Sequence, residues 1–595
     1  MRWRGFLLTS VMFMAGACAA VDMRLAVEED LWQKVVFLDE PDKTVAEPAV
    51  FAIVDDPEHG KALRVGPWRA GMWGVRYQYA RRLPYAVATI RGWYKTQDLF
   101  PFQAQVVVSY FAGEERLAKR RYDLAPSPVW RAFEVTARYP PTGADGMSLA
   151  FGLGEKTAGS VVFADLSISD EAPEAGLAMP GRVKRMLPLR SYEPSDTWRI
   201  ERGGQEFWLV SPKGKPFYSL GAVGPVLEGG KEAADGPAWA EFLRQWGFNS
   251  LAGWTSLERW AKANAAIEAA GKEPLPVLAV ISTSNLPGSF VFLNDSRGRQ
   301  QAKEHAFGDP WDPAYEAAYR AAVRKAYDVA GDSQWLVGWF ADNELSHDEL
   351  YRYVYSTFCG QQFAAFLQKR HGTIGRLNTA WGTSFASFDD LLARRPEPRD
   401  ITSRMGLDFL AFEREIVARH VEVTISSIRS FDEKRPIFSN RFMASGIGAY
   451  VRLLDLYSRY DAIGVNLYPT NRSGGLSENE TAYVRMFHQF TGKPVIIGEW
   501  SVPAMDSGLY DLPRGVEPDW SFNEAVGTQA QRATQAAAVT LDFYNLPFVL
   551  GSHWFTWRDF DSPARRANRG LMRSDGQPWT ELLNELRRVH RLIVP

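Results

Sequence analysis

The chain has 595 residues, 46% of them hydrophobic and 23% charged, which excludes wholesale disorder and leaves room for two or three domains. Its 68 basic residues against 70 acidic ones give a net charge of -2, so no whole-chain field draws it to nucleic acid or to an anionic membrane. With two cysteines, Cys18 and Cys359, a disulfide framework is excluded.

In chain order, residues 1–19 read as an export signal. Arg2 and Arg4 start it, an apolar run over 6–14 follows, and small residues surround Cys18. The run is too short to span a bilayer. Small residues before Cys18 resemble a lipoprotein site, which makes Cys18 a candidate lipid anchor; ordinary cleavage after Ala17 or Ala19 is the alternative. Either way the expected location is export: periplasmic, secreted, or an outer-membrane lipoprotein.

Residues 25–170 carry short β-rich runs bounded by Pro, Gly and Asp, among them 35–38, 51–54, 104–111 and 130–135. The run 161–169 alternates, placing Val162, Ala164, Leu166 and Ile168 on one face. Short strands without helical periodicity predict a β-sandwich. A polar stretch over 171–199 is the expected linker.

From 200 to 595 the rhythm changes. A hairpin at 206–210 leads into the segment at Phe217, and further apolar strands are predicted at 249–254, 275–281, 336–340, 436–439, 462–467, 494–497 and 548–552. Helical patterns over 238–246, 257–270, 313–330, 409–431 and 528–544 alternate with them. Eight such units predict a TIM (β/α)8 barrel; a doubly wound sheet is the alternative, but no Gly-rich phosphate loop follows the first strand. Cys359 falls in an apolar helix-like stretch over 350–369, as a buried core residue does.

In a barrel the chemistry lies at the C-terminal ends of the strands. Glu344 follows the fourth strand and Glu499 the seventh, so two carboxyls distant in sequence meet at one mouth. Glycoside hydrolysis needs such a pair, one protonated to assist the leaving oxygen and one ionised to attack or to activate water. A single Glu at a strand end more often forms an ion pair; the pair carries the inference. His305, His347 and His553 are scattered without ligand spacing, so no metal is expected.

Asn343-Glu344 after the fourth strand and Gly498-Glu499 after the seventh resemble the signature of the retaining glycoside hydrolases of clan A. The stretch Trp339-Phe340-Ala341-Asp342-Asn343-Glu344-Leu345-Ser346 and the segment from His371 to Phe385 are similar to family 42, the β-galactosidases. Gly551-Ser552-His553-Trp554-Phe555 resembles the eighth strand of family 50, the β-agarases. The resemblance implies Glu344 as general acid/base, Glu499 as nucleophile, Asn343 on the sugar 2-hydroxyl and Tyr468 on the nucleophile. It also implies Trp554 as a sugar platform, no cofactor, and carboxyls about 5–5.5 Å apart instead of the roughly 6.5–9.5 Å of inverting enzymes. Asn249, Asn440, Arg441 and Trp500, all near strand ends, are further candidates for substrate contact, although Arg441 equally suits pairing with a carboxylate.

The expected partner is a β-linked galactan polysaccharide or oligosaccharide, agarose-like material first. Cleavage by a β-galactosidase, or by another clan A glycanase acting on glucan or mannan, stays open, as does a noncatalytic carbohydrate-binding surface protein. The sandwich resembles a carbohydrate-binding module, with Trp68, Trp73 or Trp93 offering a face unless they pack inward. Asp312 before Pro313 is expected to cap a helix.

Overall fold

The computed structural model describes residues 22–594 apart from 29–30, 39–50, 67–71, 81–82, 84–87, 101–103, 125, 138–143, 154–157, 170–184, 189–190, 225–235, 471–473, 511–524 and 563–564. The expected export signal with Cys18, Trp68 and most of the expected linker lie outside the described residues.

Two antiparallel sheets form the N-terminal part. One runs in the order Phe51–Asp56, Gly60–Val65, Ala158–Ser169, Ala88–Phe100, Arg131–Ala137, with Asp22–Arg24 added to the third of these. The other runs Trp32–Leu38, Met72–Tyr79, Gly146–Leu153, Ala104–Ala112, Glu115–Leu124. Their facing aromatic and aliphatic side chains, including Tyr77, Phe133, Phe151 and Phe163, make one core. The alternation expected for 161–169 breaks within the strand. A bulge between Ala164 and Ser167, with Asp165 at φ 48°, switches faces, so Val161 and Phe163 join Leu166 and Ile168 in the core. Val162 is left half-buried. Trp93 is 39% exposed on the outer face; the Trp73 side chain lies outside the described residues.

Among the described residues, eight parallel strands close a barrel: β1 (Ser219–Ala222), β2 (Ser250–Leu251), β3 (Val277–Val280), β4 (Leu336–Phe340), β5 (Ile437–Met443), β6 (Ala462–Asn466), β7 (Val495–Trp500) and β8 (Val549–Trp554). Nearly all their residues are buried, as in strands wrapped by helices. Pro216–Phe217 is split from β1 and pairs instead with the hairpin strand Glu206–Val210. The helices follow the patterns in the sequence closely, as Leu257–Ala269, Pro313–Ala330 and Arg404–Arg429 illustrate. Asp312 caps the second of these through its carboxylate, 2.8 Å from the Ala314 amide, with Pro313 in the first turn. Cys359 is buried in the helix Thr357–His371, and burial pushes its thiol well up.

Below the barrel, Arg185 ties the chain after the sandwich to the floor. Its guanidinium donates to the Val549 and Leu546 carbonyls at 2.7 and 3.2 Å and lies 3.5 Å from the Trp208 ring centroid. Beside the mouth, Arg131 of the sandwich pairs at 2.8 Å with Glu478, the first residue of the helix after β6.

Candidate active site

Glu499 is the penultimate residue of β7 and is buried. Three donors converge on its carboxylate. The Trp254 indole N–H meets Oε1 at 2.7 Å, the Arg441 guanidinium lies 3.0 Å from the same oxygen, and the Tyr468 hydroxyl donates to Oε2 at 2.6 Å. A buried carboxylate is tolerated when its charge is paired and its lone pairs are filled. Burial and the Glu499 charge hold the Tyr468 phenol well above its ordinary range, so it stays a donor.

The route by which Arg441 arrives is set by glycine. Arg441 is 0% exposed and rises from β5 across the barrel interior. A Cβ on Gly498 would stand 2.5 Å from its Cδ, one on Gly464 3.0 Å from its Cγ, and one on Gly253 3.1 Å from its Nη1. Real side chains at these positions would fill the space that the arginine uses. Trp254 flanks the guanidinium at 5.0 Å from its ring centroid.

Glu344 lies past β4 in the left-handed region, at φ 50°, and Trp254 shares that region at φ 69°. Among the described residues five non-glycine positions have positive φ, and two of them touch this one site. The Glu344 turn is held by its neighbours. Its amide donates to the Arg441 carbonyl at 3.0 Å, and His305 Nδ1 donates to its carbonyl at 2.9 Å. Burial first, and then the Glu499 charge, raises the Glu344 carboxyl; the Asn466 amide, donating to its Oε1 at 2.7 Å, opposes this. The site therefore holds two carboxyls in unlike surroundings, Glu499 facing a guanidinium, an indole N–H and a hydroxyl, and Glu344 raised by burial and by its neighbour's charge.

Just before this pair, Asp342 is fully buried and accepts from the Thr283 amide at 3.0 Å and the Asn343 amide at 2.9 Å. Burial raises it to about 6. It laces the end of β4 to the segment after β3.

The structure gathers Asn343, Glu344, Arg441, Tyr468 and Glu499 at the mouth and places other expected contacts elsewhere. Arg441 serves the carboxylate and has no surface for a sugar. Asn440 is buried, and its Oδ1 accepts from the Leu345 amide at 3.1 Å, bracing the turn beyond Glu344. Asn249 is at the opposite end of the barrel. It precedes the two-residue β2, and its amide is consumed by the Leu220 N–H at 2.8 Å and the Tyr218 carbonyl at 2.9 Å of the neighbouring strand. Trp554 is 1% exposed: its ring packs edge-on to Trp500 at 4.9 Å and its indole N–H donates to the Arg569 carbonyl at 2.9 Å. Neither Trp554 nor Trp500 offers an open face, because each is buried under the other. The aromatic with surface to offer at this strand end is the next residue, Phe555, half-buried and edge-on to Tyr468 at 6.4 Å.

From the sequence Trp254 stands open between a packing residue and a subsite wall; in the structure its indole N–H meets Glu499 instead. Three further residues carry no signal in the sequence. Asn466 stood two positions before Tyr468 in the same strand end and was passed over for the hydroxyl. Asp342 is hidden by its apolar neighbours. Arg569, buried, lies 4.2 Å from the Tyr468 ring centroid through a fold of the segment after β8 that pattern reading does not follow.

The scattered histidines have partners within the fold. His347 bonds the Leu345 carbonyl and the Tyr457 hydroxyl, and His553, which burial lowers to about 3, bonds Ser219. Among the described residues no group of three His, Cys, Asp or Glu side chains is arranged to hold a metal ion.

Comparison with known proteins adds four findings. The glycoside hydrolase family 42 model, described as β-galactosidase, matches residues 292–593. Beta-agarase A from Vibrio sp. (strain JT0107) is 24% identical over 381 residues, 58% of this chain and 34% of that protein. Beta-galactosidase BgaH from Haloferax lucentense is 23% identical over 279 residues, 45% of this chain and 40% of that protein. The matched region thus spans little more than a third of either relative's length. In three dimensions the crystal structure of an agarase, AgWH50C, superposes with a TM-score of 0.58 at 14% identity, over 93% of this chain and 99% of that one, a likeness of fold.

Proposed function

The chain belongs to glycoside hydrolase family 42, the β-galactosidase family, and from that premise we propose that it is an exported, retaining enzyme that cleaves β-galactosidic bonds in agarose-type galactan or its oligosaccharides. The observation that carries the proposal is the contrast in surroundings of the two carboxyls, Glu499 facing the Arg441 guanidinium, the Trp254 indole N–H and the Tyr468 hydroxyl, and Glu344 raised by burial and by the Glu499 charge.

In the first step Glu344 gives its proton to the glycosidic oxygen as the bond to the anomeric carbon breaks. Glu499 forms an ester to that carbon. In the second step water attacks the anomeric carbon while the Glu344 carboxylate takes its proton, and Glu499 leaves as the anion it began as. Asn343, buried beside Glu344, is the proposed partner of the sugar 2-hydroxyl, a contact that strengthens as positive charge grows on the ring. Agarose-type substrate is supported by the two agarases named above; the family description and the Haloferax relative favour the second reading, a β-galactosidase of small galactosides. Export, with or without a lipid on Cys18, rests on the pattern over 1–19 and is tested by the mass of the mature N-terminus.

Replacing Glu499 by Gln should lower turnover of aryl β-galactosides and agarose oligosaccharides by roughly four orders of magnitude or more. Proton NMR of the wild-type reaction should show the β-anomer first. Undiminished turnover in Glu499→Gln would remove the nucleophile assignment, and an α-anomer released first would refute retention.

A further inference from the structure

Asn466 ends β6 with 0% of its surface exposed and sits in register beside Glu499. Its Nδ2 lies 2.7 Å from Glu344 Oε1 and 3.3 Å from Asn343 Oδ1. With the Asn466 nitrogen on this side, one N–H faces Glu344 Oε1 and the amide also meets Asn343 Oδ1, each contact donor to acceptor. On the far side Gly498 leaves room for the amide: a Cβ there would stand 3.0 Å from Asn466 Oδ1. The amide is therefore locked by packing behind it and by an acceptor beside it.

A carboxylic acid carries its proton on one oxygen, and the oxygen that receives an N–H cannot also point a proton along the same line. We propose that Asn466 is a positioning residue that reserves Glu344 Oε1 as an acceptor and so places the acid proton on Oε2, the oxygen left to meet the leaving group. This rests on the reading of Glu344 as the acid/base. In the second half of the reaction the same N–H stabilises the anion that Glu344 becomes, so Asn466 also limits how far burial and Glu499 can raise that carboxyl.

The test compares Asn466→Ala and the near-isosteric Asn466→Asp with Glu344→Ala, on a phenyl β-galactoside and on a 2,4-dinitrophenyl β-galactoside. The dinitrophenolate departs with little help from an acid. Loss of the donor should lower kcat/KM for the phenyl compound by about ten- to a hundredfold and for the activated one by less than about threefold. The basic limb of the pH profile should move up by about one to two pH units, since the lost hydrogen bond favoured the anion. Independently of turnover, 13C titration of the Glu344 carboxyl in Glu499→Gln, with and without Asn466→Ala, should show the same upward shift. An unmoved basic limb and carboxyl, or equal loss on both leaving groups with near-UV circular dichroism unchanged, overturns the proposal. Equal loss on both substrates in Glu344→Ala instead overturns the acid/base reading beneath it.

Discussion

Replacing Arg441 by Met is the most direct test of how this barrel tolerates a buried anion. The methionine keeps most of the unbranched stem that runs between Gly253, Gly464 and Gly498 but deletes the guanidinium 3.0 Å from Glu499 Oε1. With both partners buried, removing one leaves the other charged and uncompensated, at a cost of about 3–5 kcal/mol. In a Glu499→Gln background the same replacement removes a cation that has already lost its partner, and should be near neutral or stabilising by up to about 4 kcal/mol. The two single changes are thus expected to couple by at least about 2 kcal/mol. Chemical denaturation of the four proteins, followed by near-UV circular dichroism, yields the coupling as a double-mutant cycle. Costs that add to within about 0.5 kcal/mol would refute the pairing. So would a stable Arg441→Met protein that retains full activity.

Two further outcomes follow from the same contacts. Tyr468→Phe removes the 2.6 Å hydroxyl contact to Glu499 but keeps the ring under Arg569, so kcat/KM on aryl β-galactosides should fall by roughly 10- to 150-fold, the worth of one hydrogen bond to a charged group, and a loss below about threefold would show that the hydroxyl is idle. Asp342→Asn should flatten the pH dependence of stability: with the folded carboxyl raised from 3.8 to about 6, the wild type keeps its full contribution below pH 3.8 and loses it as pH rises through about 6, a relative fall of roughly 3 kcal/mol that the variant lacks. Denaturation midpoints taken from pH 4 to 7 read this difference directly, and parallel curves for the two proteins would refute it.

The parts of the fold that follow from repeated local rules were legible in the sequence. Apolar runs of strand length alternating with helical periodicity locate the barrel strands, and a Glu just past β4 and another at the end of β7 are enough to pair two residues 155 positions apart. Where reading failed, a single residue departed from its local rule. Asp165 in the left-handed region reversed the faces of a strand that alternates cleanly on paper. Asn249 comes immediately before β2, so it lies at the N-terminal end of the barrel, away from the mouth. The tryptophans that end β7 and β8 pack on each other, which no one-dimensional pattern encodes. Trp254 reaches Glu499 through a backbone conformation that tryptophan seldom adopts.

The layer from which Arg441 comes has a consequence for how such an enzyme changes. Arg441 is in register with Gly464 and, through it, Ile496, one storey beneath the Asn466–Glu499 level. The counter-ion is a fully buried side chain of the barrel interior, so it is held by the fold itself. The guanidinium is supplied by a barrel strand, whereas the other two donors to Glu499, Trp254 and Tyr468, come from the segments after β2 and β6. Segments after the remaining strands can therefore be lengthened, shortened or exchanged without removing a donor from Glu499.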